Sequence, residues 1–70
     1  MTPHAAKKII RKHLDDNNLQ YTALTARTIS FQDLLGRDEL FVFVHGWVKQ
    51  PAWADVVQLA KEHDFCVTSV

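Results

Sequence analysis

Four histidines, His4, His13, His45 and His63, and one cysteine, Cys66, are the side chains best suited to ligate a metal or move a proton. Two imidazoles grip zinc from one helix when they stand four residues apart, and structural zinc sites add paired thiolates. No histidine pair here has that spacing, and a single thiol makes neither a C-x-x-C pair nor an intramolecular disulfide. Cys66 with His45 or His63 would supply a nucleophile and a base, but no third group to orient the base and no oxyanion signature accompany them. Free cysteine is also among the most buried residue types, so Cys66 reads as core filler. His13 reads as half-buried, and His63 as a partner of the last carbonyls of a helix. With two glycines in the chain, phosphate-cradling loops and nucleophile elbows are excluded. No catalytic residue, metal or cofactor is assigned. A chain of 70 residues is also not expected to enclose a pocket of about 300 Å³ or more with a supporting shell.

The remaining chemistry is that of contact. Leu40-Phe41-Val42-Phe43-Val44-His45-Gly46-Trp47 is apolar on both alternating faces: Leu40, Val42 and Val44 on one, Phe41, Phe43 and Trp47 on the other, with His45. If helices cover the valines, the aromatics stand on an open sheet where bases would stack at about 1–3 kcal/mol each. Large aromatics are usually buried, which favours the opposite arrangement: Phe41 and Phe43 in the core, and the valines outward or against a second subunit. Either way an apolar face needs cover. Trp47, Lys49, Pro51 and Trp53 cluster in one connection, and tryptophans beside a cation give large, rigid contact area. Equally, Trp53 can anchor a helix while Trp47 caps the core edge.

Lys7, Lys8, Arg11 and Lys12 give the first 14 residues four bases and no acid, leaving four bases and eight acids for the rest. One helix face could thus meet phosphates, although such runs are commonly a solvated face. Eight bases against eight acids give zero net charge, which argues against a protein that wraps polyanions. The composition, 47% hydrophobic and 23% charged, is that of an ordinary globular domain. A chain this short makes one domain, residues 1–70, with about 4–10 kcal/mol of stability at roughly 0.05–0.15 kcal/mol per residue. No apolar run reaches the roughly 18 residues of a membrane span, and no apolar stretch follows the basic N-terminus, so the expected compartment is the cytoplasm.

Local signals define the elements that position these residues. Thr2 and Pro3 suit an N-cap and first helical position, and Ala6, Ile9, Ile10, His13 and Leu14 form one stripe, ended by Asn17 and Asn18 with Leu19 folding back. Residues 20–29 read as a strand with an irregular start, placing Tyr21, Ala23, Thr25, Arg27 and Ile29 on one face. Ser30 to Asp33 resembles a capping box, closed by Leu34, Leu35 and Gly36 as a short turn of helix. Residues 40–47 make the second strand. A helix from Pro51 buries Trp53, Val56, Val57 and Ala60, and residues 65–70 make the last strand.

The expected fold is α+β, a small two-layer α/β sandwich in the order α-β-β-α-β, with a three-stranded mixed sheet and two helices. The first two strands should run antiparallel, and a crossover should set the third parallel to the second, adjacent or not. The favoured function is a small non-enzymatic interaction or regulatory protein, using its apolar aromatic sheet face or tryptophan loop for self-association or a protein partner. The alternative is a module for RNA or single-stranded nucleic acid, stacking bases on Trp47 or Phe41 and Phe43 while Lys7, Lys8, Arg11, Lys12 and Lys49 meet phosphates.

Overall fold

The computed structural model describes residues 1–30, 38–47 and 52–70. Helix α1 spans Pro3–Asp16, strand β1 Ala23–Ser30, strand β2 Asp38–His45, helix α2 Trp53–Glu62 and strand β3 Cys66–Ser69, the expected order. The proposed capping box and short helical turn after Ser30, and the start of the second helix at Pro51, lie outside the described residues.

Both helices end by the same device. Thr2 opens α1, its side chain accepting the Ala5 N–H at 3.1 Å, with Pro3 at the position where a missing N–H costs nothing. At the far end Asn18 takes a left-handed φ of 54°, and the Leu19 N–H donates to the Leu14 carbonyl at 2.8 Å. Asp64, at φ 62°, repeats this after α2, where Phe65 donates to the Ala60 carbonyl at 3.0 Å. These 6→1 bonds satisfy carbonyls that a helix end leaves unpaired, and they lay Leu19 and the buried Phe65 back on the last turns. His63 serves the terminal carbonyls as expected, its backbone N–H donating to the Ala60 carbonyl at 3.1 Å, while its ring tilts against Phe65 with centroids 6.5 Å apart.

The sheet order is β1-β2-β3, with β2 central, antiparallel to β1 and parallel to β3. Strand β3 is therefore the direct neighbour of β2, reached by the crossover through α2. Leu24 faces Val44 and Ala26 faces Val42 across the first pair, while Val42 faces Val67 across the second. On this side both helices pack: Ala6, Ile10 and Leu14 of α1 and Val56 and Ala60 of α2 join Leu24, Val42, Val44 and Phe65 in one core. Val42 and Val44 are 0% exposed. In α2, Leu59 packs on the core beside Trp53, while Val57 is only half-buried.

This overturns the expectation that Phe41 and Phe43 fill the core. Two helices lying on a three-stranded sheet meet the compact β-branched side chains of the central strand, and their own Ile, Leu and Val residues fill the layer. The phenylalanines, one residue out of phase, point from the opposite face. Among the described residues no helix is long and apolar enough to cross a membrane.

Candidate interaction surface

The strand register defines the face that neither helix touches. Across it Ala23 stands opposite His45, Thr25 opposite Phe43 and Thr68, Arg27 opposite Phe41 and Cys66, and Ile29 opposite Glu39. Phe41 and Phe43, two residues apart on β2, stack with ring centroids 6.0 Å apart and planes 22° from parallel. The Arg27 guanidinium lies 5.2 Å from the Phe43 centroid, a cation over an aromatic face. Thr25 Oγ1 and His45 Nε2 share a hydrogen bond of 2.9 Å, which fixes the imidazole against β1. Thr25, Ala26, Arg27, Phe43, His45 and Val70 surround an open hollow of about 360 Å³. Val70, at its rim, is 68% exposed.

Trp47 does not belong to this face. Gly46 takes a φ of 72°, a conformation open to glycine, and the chain turns out of the strand. Trp47 then packs on the core beside Trp53, with ring centroids 5.3 Å apart. Both indoles are half-buried on the helix side, and the Trp47 Nε1–H is buried with no acceptor among the described residues. The grouping of Trp47 with Phe41 and Phe43 is thus corrected: the alternation that relates them stops at Gly46. Lys49 lies outside the described residues.

Tyr21 is also displaced from its expected face. The strand begins two residues later, at Ala23, and Tyr21 packs on the core with its hydroxyl donating to Asp15 Oδ1 at 3.0 Å. Burial pushes its hydroxyl above the ordinary tyrosine range; the bond to Asp15 and that residue's charge add to the rise, and Arg11 opposes it. Asp15, Leu19, Gln20, Tyr21, Thr22 and Gly46 line a second open hollow of about 590 Å³. Both hollows exceed the limit expected for a chain of this length, because each is an open surface recess rather than an enclosed cavity.

The basic cluster sits in the other layer. Lys8, Arg11 and Lys12 are exposed and Lys7 is half-buried on α1, which packs on the valine side of the sheet. The sequence therefore names two sets of candidate residues that the fold separates by the thickness of the domain. Arg27 is the cation that accompanies the phenylalanines. Its partnership with Phe43 is a diagonal cross-strand contact, legible in sequence only once the register is known.

Among the described residues no three His, Cys, Asp or Glu side chains gather as a metal site, and Cys66 is a free, half-buried thiol beside Phe41 in the register. The chain matches no protein-family model, and comparisons with curated proteins and with solved structures find no match.

Proposed function

We propose that the protein is a small non-enzymatic interaction module whose contact surface is the open sheet face centred on Phe43. One observation carries this reading: both helices cover the valine side of β2, so no described element packs against the aromatic side. Half-buried aromatics flanked by Arg27, His45, Thr25 and Val70 combine an apolar centre with a polar rim, the composition that protein contact surfaces favour. The tryptophan connection is a weaker candidate, since Trp47 and Trp53 are engaged with each other and with the core.

An anilinonaphthalene dye titration at micromolar protein tests the surface. The folded wild type is expected to enhance dye fluorescence, and Phe43→Ser to abolish the enhancement while far-ultraviolet circular dichroism stays unchanged. Absence of dye binding by folded wild type that sediments as a monomer would contradict the reading.

A second reading is single-stranded nucleic acid, favoured by the stacked Phe41–Phe43 pair beside Arg27. Lys7, Lys8, Arg11 and Lys12 stand in the far layer, which leaves Arg27 as the one cation beside the rings among the described residues. Anisotropy of a labelled mixed oligonucleotide at low salt separates the two. Binding that Phe43→Ser removes would favour nucleic acid; no binding favours a protein.

A further inference from the structure

We propose that a second copy of this chain occupies the open face, packed sheet to sheet about a two-fold axis, so that Arg27 of each copy meets Glu39 of the other. This rests on the reading of that face as a contact surface and names its occupant. Among the described side chains of the face two carry a formal charge, Arg27 on β1 and Glu39 on β2. Because Arg27 stands opposite Phe41, Glu39 is its diagonal cross-strand neighbour, at a spacing of about 7–8 Å that long side chains can span. The guanidinium instead turns to the other diagonal, over Phe43. One cation and one anion, side by side and not joined, make the face complementary to itself. An isologous two-fold interface requires that property, since residue i must suit residue j and j must suit i.

Shape and net charge agree with this assignment. The hollow beside Phe43 has the exposed Val70 at its rim, so each copy offers both a recess and an apolar knob. Sheets that pack face to face lie about 10 Å apart with interdigitated side chains, which suits half-buried phenylalanines. Eight bases against eight acids leave no net repulsion between copies. An acidic peptide would meet Arg27 but be opposed by Glu39, and a polyanion would lack the cations held on α1.

Sedimentation equilibrium on the wild type, Arg27→Glu, Glu39→Arg and an equimolar mixture of the two variants tests the proposal. The wild type is expected to dimerise reversibly. Each reversal alone places two like-charge contacts in the dimer and is expected to raise its dissociation constant about tenfold or more. The mixture should recover the dimer, because every 27–39 contact again joins opposite charges. Recovery on mixing requires both variants to be folded; if either unfolds, Arg27→Gln and Glu39→Gln should each weaken the dimer less steeply. Variants that self-associate as the wild type does would overturn the pairing. A monomeric wild type whose dye binding still depends on Phe43 would overturn the second copy alone, and a monomer without dye binding would overturn the contact surface as well.

Discussion

A β-carbon placed on Gly46 would stand 2.5 Å from the Thr22 hydroxyl oxygen and 2.6 Å from its methyl carbon. Thr22 is held there by two bonds to the His45 carbonyl, from its N–H at 2.8 Å and from its hydroxyl at 3.0 Å. This contact and the positive φ of Gly46 fix the turn that removes Trp47 from the aromatic face. Gly46→Ala is expected to cost about 2–4 kcal/mol, from left-handed strain and overpacking together. Adding Thr22→Ala should make the double variant less destabilised than the sum of the singles, because the two closest contacts are removed and only the Thr22 Cβ, at 3.0 Å, remains. Urea unfolding gives both values; additive losses would contradict the contact.

Asn18 and Asp64 hold left-handed backbone after α1 and α2. Glycine adopts that conformation without a Cβ penalty, so Asn18→Gly and Asp64→Gly should each stabilise the fold by about 0.5–1 kcal/mol. The two ends belong to different helices and share no partner, so the gains should add. Thermal unfolding of the singles and the double checks this.

Tyr21 supplies a pH dependence. Its folded pKa is raised above the ordinary value of 10.0, so the folded state holds the phenol proton more tightly than the unfolded chain. The stabilisation is fully present below that ordinary value. It is lost as pH rises through the higher folded value, because the unfolded state releases its proton first. Urea midpoints measured across this alkaline range should fall more steeply for the wild type than for Tyr21→Phe. Parallel curves would show that the hydroxyl is not linked to folding.

Trp47 buries an N–H that has no acceptor among the described residues. Leaving such a donor unpaired costs about 1–3 kcal/mol, which Trp47→Phe relieves while keeping an aromatic ring against Trp53. Trp47→Phe is therefore expected to lie within about 1 kcal/mol of the wild type, the relief offsetting the lost ring area, whereas Trp47→Ala should cost about 2 kcal/mol or more. Chemical denaturation distinguishes the two. A Phe variant as unstable as the Ala variant would mean that the indole N–H is satisfied.

The elements were legible where their signals are local. Thr2 and Pro3 announce the start of α1, and Asn17, Asn18 and Leu19 its end, because capping involves residues three to five apart in sequence. The sheet face was not legible. Period-two alternation gives β2 two apolar faces, and the choice between them depends on how α1 and α2 fill the space over Val42 and Val44. Tyr21 and Trp47 fail for a related reason: each lies just beyond a strand end, where the alternation used to place it no longer applies. The separation of Lys8, Arg11 and Lys12 from Phe43 follows from layer order, which no local spacing encodes.

The central claim is that the Phe43 face, and not the basic face of α1, is the contact surface. Amide chemical shifts recorded by two-dimensional NMR over a dilution series from millimolar to micromolar protein test it most directly. The account predicts concentration-dependent shifts centred on Thr25, Arg27, Phe43, His45 and Thr68, with Lys8, Arg11 and Lys12 unmoved. Shifts centred on α1 would contradict it, and a spectrum unchanged over the whole range would contradict the second copy on that face.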